Sequence, residues 1–224
     1  MFDSFIKGTL LSLAVSIMLT GCGSDKDGVL PAEYEVSISN TSNFQPLSPV
    51  GVVFSSQESL FDIGAPASLD LEKLAEGGDN SGLLALGNTS VSTQSPVLPG
   101  ETAVVNITKN LEGLKFSAFS MLVNTNDAFT GVSVYDLGHL AIGETVTLTT
   151  NVYDAGTESN SEAEGTIPGP ADGGEGFNAQ RDDVNIVRMH SGVVSRDDGL
   201  SSSVLTEQAR FDNTVMRMSI KRIR

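Results

Sequence analysis

From Tyr34 onward the chain is cut into short alternating runs by Gly, Asn, Ser and Pro, and this spacing constrains the fold more than any other feature. YEVSISNTS (34–42) sets Tyr34, Val36 and Ile38 against Glu35, Ser37 and Ser39, the period of a half-buried strand ending in turn formers. LSPVGVVFSS (47–56) does the same with Val50, Val52 and Phe54. ETAVVNITKN (101–110) and LKFSAFSMLV (114–123), separated by the turn-like LEG at 111–113, predict an antiparallel hairpin. Further strands are expected at VSVYDL (132–137), ETVTLTTNVYD (144–154), VNIVRMH (184–190) and TVMRMSIKRI (214–223). In the last, alternation sends Arg217, Lys221 and Arg222 to solvent and Val215 and Ile223 inward. Only 67–86 departs from this pattern: Leu69, Leu71, Leu74 and Ala75 make a helical stripe, Ser68 suits its N-cap and Gly77-Gly78 its stop. Strands at this spacing imply an all-β fold, an antiparallel β-sandwich with one or two short helices in a connecting segment.

At 224 residues the chain is long enough for one β domain with a real core. It carries 28 Asp and Glu against 13 Lys and Arg, a net charge of −15, which argues against nucleic acid as a partner because phosphate needs aligned cations. A single Cys excludes an internal disulfide framework and any Cys-based zinc or iron–sulfur site within one chain. The stretch between Asp154 and Asp183 is acidic and Gly-rich, and is expected as surface loops outside the core. The runs Arg181-Asp182-Asp183 and Arg196-Asp197-Asp198 read as solvated turns.

Residues 1–21 put Lys7 before an apolar run from Leu10 to Leu19, too short for the roughly 20 residues a bilayer demands, so they read as a signal peptide. The ending Leu19-Thr20-Gly21-Cys22 resembles a bacterial lipobox, which implies lipidation of Cys22 and a membrane held through its acyl chains. The alternative is an ordinary secretory signal with a chance Cys. Gly23 rather than Asp after the Cys favours the outer membrane of a bacterial cell envelope, and 22–33 reads as a flexible tether to a domain spanning 34–224.

Catalytic signatures are sparse. His139 and His190 lack a second His at metal-ligand spacing, no GxSxG elbow occurs, and GPADGGEGF (169–177) lacks the Lys and helix of a phosphate cradle. His190 reads as a strand-end residue bonded to a loop carbonyl, and Met189, Met216 and Met218 as core or edge packing. What remains is carboxylates and amides at strand ends. If NTNDAF (124–129) and YDAGTESNSE (153–162) share one end of the sandwich, Asp127 and Asp154 bring two hard oxygen donors together, as calcium prefers, with Asn106 a possible third. The competing reading is that both Asp residues cap their own turns.

The stretches FSMLVNTNDAFTGVSVYDL (119–137), VYDAGTESNSE (152–162), TIPGP (166–170) and VRMHSGV (187–193) resemble, in order, those of the spondin N-terminal domain family. The resemblance covers roughly Tyr34 to Ile223 and implies a sandwich similar to that of C2 domains, one bound calcium near the loops at one end, and roles in adhesion and matrix binding. Carried over residue by residue, it makes Asp127 and Asp154 ligands and places Asn106, or Glu101 in another register, where the family has an acidic residue. A neutral amide there lowers ligand charge and puts integrin recognition in doubt. The expected function is a surface-tethered binding module for a glycan or matrix protein, with calcium as cofactor and no enzymatic activity. The alternatives are a structural envelope lipoprotein and a carboxylate-dependent hydrolase. For the hydrolase, a chain without Trp and with three Tyr is poorly supplied with sugar platforms.

Overall fold

A computed structural model describes residues 31–55, 59–109, 115–212 and 214–224. The signal peptide, Cys22, most of the tether and the 111–113 turn lie outside the described residues. The chain forms two antiparallel sheets with two short helices. The strands are β1 (Ala32–Asn40), β2 (Gly51–Ser55), β3 (Thr89–Ser92), β4 (Thr102–Lys109), β5 (Lys115–Met121), β6 (Ala128–Asp136), β7 (Thr145–Thr150), β8 (Val152–Asp154), β9 (Arg188–Met189) and β10 (Met216–Arg222), and the helices are α1 (Leu69–Gly77) and α2 (Ser81–Ala85). One sheet runs β4-β1-β10-β7 and the other β3-β2-β5-β6-β8-β9.

Alternation in β1 does what the sequence says: Tyr34, Val36 and Ile38 are buried between the sheets, against Val52, Phe54, Phe116, Met216, Met218 and Ile220. Tyr34, Phe54 and Phe116 stack in series with centroids 5.2 and 5.8 Å apart. In β10 it is Met216, Met218 and Ile220 that point inward with Val215, while Ile223 lies past the strand and is 41% exposed, against expectation.

The expected hairpin does not form. β4 pairs with β1, and β5 lies in the opposite sheet between β2 and β6. The two patterns differ in kind: β4 alternates, as a strand wet on one face does, whereas β5 is buried on both faces from Phe116 to Met121. The second face of β5 and β2 is covered by α1 and α2, whose Leu71, Leu74, Ala75 and Leu83 pack on Val53, Phe119 and Phe129. A layer of helix over one sheet is what a continuous apolar strand needs. The expected strand at 144–154 is likewise two strands. β7 pairs with β10 in one sheet and β8 with β6 in the other, and the crossing at Asn151 is held by Thr130, whose Oγ1 lies 2.6 Å from Thr150 Oγ1 and donates to the Asn151 carbonyl at 2.8 Å. Strand at 184–190 reduces to Arg188–Met189, with Met189 41% exposed.

Helix α1 begins at the expected cap, with Ser68 Oγ accepting the Leu71 N–H at 3.1 Å. It stops at Gly78, left-handed at φ 69°, whose N–H closes on Leu74. Its apolar stripe is Leu71, Leu74 and Ala75, while Leu69 is exposed.

The acidic segment after Asp154 is not a set of solvated loops. Ala155, Thr157, Glu158, Glu162 and Ile167 are buried, and Ile167 joins Val193, Leu205 and Ala209 in a small third core. Polar residues build this layer because their side chains, more than their apolar surface, hold the loops to one another.

Candidate functional site

The turn after β5 is a hub in which each side chain of Asn124-Thr125-Asn126-Asp127 clamps something different. Asn124 exchanges bonds with Gln45, its N–H donating to Gln45 Oε1 at 3.1 Å, and its Oδ1 accepts the Ala171 N–H at 3.0 Å. Thr125 Oγ1 donates to the Leu122 carbonyl at 2.6 Å and accepts the Ala128 N–H at 3.1 Å, closing the turn. Asn126 Nδ2 donates to Thr166 Oγ1 at 2.9 Å, and Asn126 Oδ1 accepts the Glu162 N–H at 3.3 Å. Asp127 is fully buried and its Oδ2 accepts the N–H groups of Thr157 and Glu158 at 2.8 and 3.2 Å. Its Oδ1 is buried without a hydrogen-bond partner among the described residues.

Asp127 immediately precedes β6, and Asp154 ends β8 directly opposite Ala128, so pairing of the two strands brings the aspartates to one end of one sheet. The Ala155 N–H donates to the Asp127 carbonyl at 3.2 Å. Asp154 is 1% exposed, but both its oxygens are engaged. Oδ1 accepts the Gly156 N–H at 2.7 Å, while Oδ2 accepts Asn160 Nδ2 at 2.7 Å and the Arg188 guanidinium at 2.9 Å. Gly156 is required where it stands: φ is +71°, and a Cβ would come within 2.5 Å of the Ile186 carbonyl oxygen. Asp154 therefore does cap its turn, as the competing reading has it, and adds an ion pair.

Asn106 is not part of this group. It sits exposed on β4 opposite Glu35, in the other sheet. Glu101, just before β4, is exposed and its Oε2 accepts the Leu98 N–H at 3.3 Å. Among the described residues there is no cluster of three or more His, Cys, Asp or Glu arranged to hold a metal.

The residues that do gather around Asp127 are ones the sequence reading passed over. Glu72 and Glu76 lie one turn apart on α1, opposite its sheet-facing stripe, and grip the acidic segment. Arg181 Nε and Nη2 donate to the two Glu72 oxygens at 2.9 and 2.6 Å, a bidentate pair, and the Asn178 N–H donates to Glu76 Oε2 at 2.9 Å. Arg181-Asp182-Asp183 is thus no solvated turn: Asp182 Oδ1 accepts the Ser159 N–H at 2.7 Å and Asp183 pairs with Arg188. Arg196-Asp197-Asp198 is a capped 3-10 turn in which Asp198 accepts from Ser195 and pairs with Arg210. The i, i+4 spacing of Glu72 and Glu76 was the one readable signal, and it lacked a visible partner.

Electrostatically the site is short of positive charge. Burial, and next the Asp154 charge, pushes the Asp127 carboxyl up to about 7 despite its backbone donors. Burial and the charges of Glu76 and Asp127 push Glu158 up to about 8, and burial also raises Glu76 and Glu162. Glu158 borders a cavity of about 70 Å³ whose rim also includes Asn126, Thr166, Glu175, Asn178 and Asp182, so oxygen and amide groups dominate it. His190 is buried against Phe211 with its Nε2 3.2 Å from Asn160 Oδ1, and its Nδ1 accepts the Gly192 N–H at 2.9 Å. Its partner is a side-chain carbonyl, one link from Asp154, and burial pulls its pKa down to about 4, so the ring is neutral at neutral pH.

No protein-family model matches the chain, and no curated protein matches it either.

Proposed function

We propose that the chain is a spondin-like lipoprotein of the bacterial cell envelope, anchored through Cys22, whose sandwich is a calcium-stabilised binding module for a surface glycan or matrix protein. The observation that carries it is Asp127: a fully buried carboxylate, beside a second one, with one oxygen that nothing in the described residues satisfies. A hard divalent cation is the group such an oxygen suits, since it both accepts no proton and cancels the converging charge. Calcium would sit at Asp127 Oδ1, with Glu158 as the neighbouring carboxylate and without Asn106. Asp154 would act beside the ion through Arg188 and Asn160, orienting the turn. An ion there fixes the 124–130 turn against the 155–162 loop, which is the rigid loop end a binding module presents.

Binding is favoured over hydrolysis by size. A cavity of about 70 Å³ has room for an ion with a water, far below the roughly 300 Å³ or more of small-molecule sites. The test is a thermal melt in EDTA against a calcium titration on wild type, Asp127→Asn and Asn106→Ala. Wild type and Asn106→Ala gain stability with calcium, about 2.7 kcal/mol at a hundred times the dissociation constant, and Asp127→Asn gains none. No gain in wild type, or an equal gain in Asp127→Asn, removes the ion from the proposal.

A further inference from the structure

Strand β8 pairs with β6 across three rungs, from Ala128 opposite Asp154 to Thr130 opposite Val152. At Asn151 the chain crosses between sheets, so β6 loses this neighbour from Gly131 onward. The Ala155 N–H, bonded to the Asp127 carbonyl, sets the alternation: odd residues of β6 turn their backbone toward β8, and the next rung would join Gly131 to Asn151. Thr130 Oγ1 takes the Asn151 carbonyl instead, at 2.8 Å, and the N–H and C=O of Gly131 have no partner among the described residues. The gap opens into a groove of about 400 Å³ lined by residues 131–133 of β6, the loop at 59–63 and the crossing at 149–151, together with Tyr153.

Local structure fixes the shape of this groove. β6 carries an extra residue opposite β5, with Val134 at φ 52°, a left-handed angle that a β-branched residue rarely adopts. Beside it, Ser133 Oγ accepts the Leu60 N–H at 2.9 Å and lies 3.0 Å from Ser59 Oγ, which ties the loop to the strand. Strain of this kind persists only where the surroundings over-determine it, and it clusters at binding sites. The tied loop sets Phe61 against fully buried Phe129 and half-buried Tyr153, ring centroids 5.0 to 5.4 Å apart. Phe61 and Tyr153 both line the groove. So do Asp62, Thr149 and Asn151, which are exposed and whose side chains hydrogen-bond nothing among the described residues. A groove of about 450 Å³ beside 91–97 and 101–106 has no aromatic ring, and one of about 350 Å³ at 191–193 and 210–212 has one ring and an arginine.

We propose that the groove between β6 and the crossing at Asn151 binds a neutral sugar of a surface glycan, one pyranose ring lying against Phe61 and Tyr153. The inference rests on the reading of the sandwich as a binding module, and gives that module its ligand class and its place. A pyranose has an apolar C–H face and a rim of hydroxyls, each both donor and acceptor. The two rings suit the face, and the rim meets an acceptor in Asp62, a donor in the Gly131 N–H, and groups that do both in Asn151 and Thr149. Charge decides the class of sugar. No Lys, Arg or His lines the groove and Asp62 does, on a chain of net charge −15, so phosphorylated, sulfated and uronic sugars are repelled. The volume lies within the roughly 300–1,000 Å³ of small-molecule sites. Asp62 is the single carboxylate along it, so the groove lacks the pair that cleaves a glycosidic bond, and it binds without hydrolysis.

The experiment is saturation-transfer NMR on the full chain in micelles of a polyoxyethylene detergent, which carries no sugar headgroup. The probes are maltose, cellobiose, lactose, N,N′-diacetylchitobiose and a sulfated chondroitin disaccharide, each in EDTA and in calcium. At least one of the neutral disaccharides receives saturation in both buffers, since Asp127, Asp154 and Glu158 do not line the groove, and the sulfated one receives none. Tyr153→Leu, which loses the flat ring, and Asp62→Ala, at an exposed position where the fold and melting temperature stay, each weaken binding about tenfold. Asn106→Ala, in the larger groove, leaves it unchanged. No transfer to any neutral probe overturns the proposal and leaves the module a protein partner. Equal transfer to the sulfated probe, or binding that Asp62→Ala and Tyr153→Leu leave intact, overturns it as well. Sugar bound in EDTA by a protein whose melt ignores calcium upholds the groove and removes only the ion.

Discussion

Asp127, Glu158 and His190 each hold a protonation state that water would not give them, and together they set a pH profile. In the unfolded chain the two carboxyls titrate near 3.8 and 4.5, whereas in the fold they hold protons up to about 7 and about 8. From about pH 4.5, where both have lost their protons in the unfolded chain, up to about 8 the folded state binds more protons than the unfolded one, so stability without calcium falls as pH rises. His190 acts the other way. Its folded value near 4 lies below the ordinary 6.5, so between those values the unfolded chain takes one extra proton, which offsets one of the two that the carboxyls hold. Chemical denaturation in EDTA across pH 5 to 8.5 should show stability falling throughout, with no maximum inside the range. Asp127→Asn and Glu158→Gln should each flatten the fall, and saturating calcium should flatten it in wild type, since the ion takes the place of the proton.

At the scale of elements, the site depends on two short pieces that the sequence marks clearly. Gly156, the turn residue after β8, lets Asp154 receive its N–H while Ile186 passes underneath. Gly156→Ala should cost more than about 2 kcal/mol, combining left-handed strain with a backbone clash, and should lower calcium affinity along with the melting temperature. Helix α1 carries Leu71, Leu74 and Ala75 toward the sheet and Glu72 and Glu76 toward the acidic segment. Loss of its cap by Ser68→Ala should cost about 1 kcal/mol, and amide exchange should quicken in α1 and in residues 178–187 together. An increase confined to α1 would mean that the Arg181 and Asn178 clamps do not couple the two.

At the scale of the whole molecule, the strongly acidic domain and the proposed lipid at its N-terminus divide the work. The net charge of −15 disfavours adhesion to anionic membranes, so attachment would rest on the proposed acyl chains at Cys22. Cys22→Ser should move the protein from the membrane fraction to the soluble fraction of an envelope preparation, with the calcium-dependent melt unchanged. Persistence in the membrane fraction would count against the anchor.

Local periodicity settled most of the strands, though not β3 or the extent of 184–190, and where the helix sits, because alternation in β1 and the Ser68 to Gly78 bracket are properties of neighbours in the chain. It could not settle which strands pair. LEG between 101–110 and 114–123 looks like a hairpin at short range, and only the demand that β5 be buried on both faces sends it to the other sheet under α1 and α2. The same holds for the site. Asp127 and Asp154 stand out as carboxylates at strand ends, and their meeting, which the sequence left conditional on a shared end, follows from β6 pairing with β8. Asn106 shares their chemistry and lies in the wrong sheet, while Glu76, Glu158, Arg181 and Arg188 gain their roles from loops that fold back across the molecule. Sequence fixes what a residue can do within a few positions of itself, whereas which buried charge faces which is decided by packing, since only the folded core removes the water that would otherwise keep them apart.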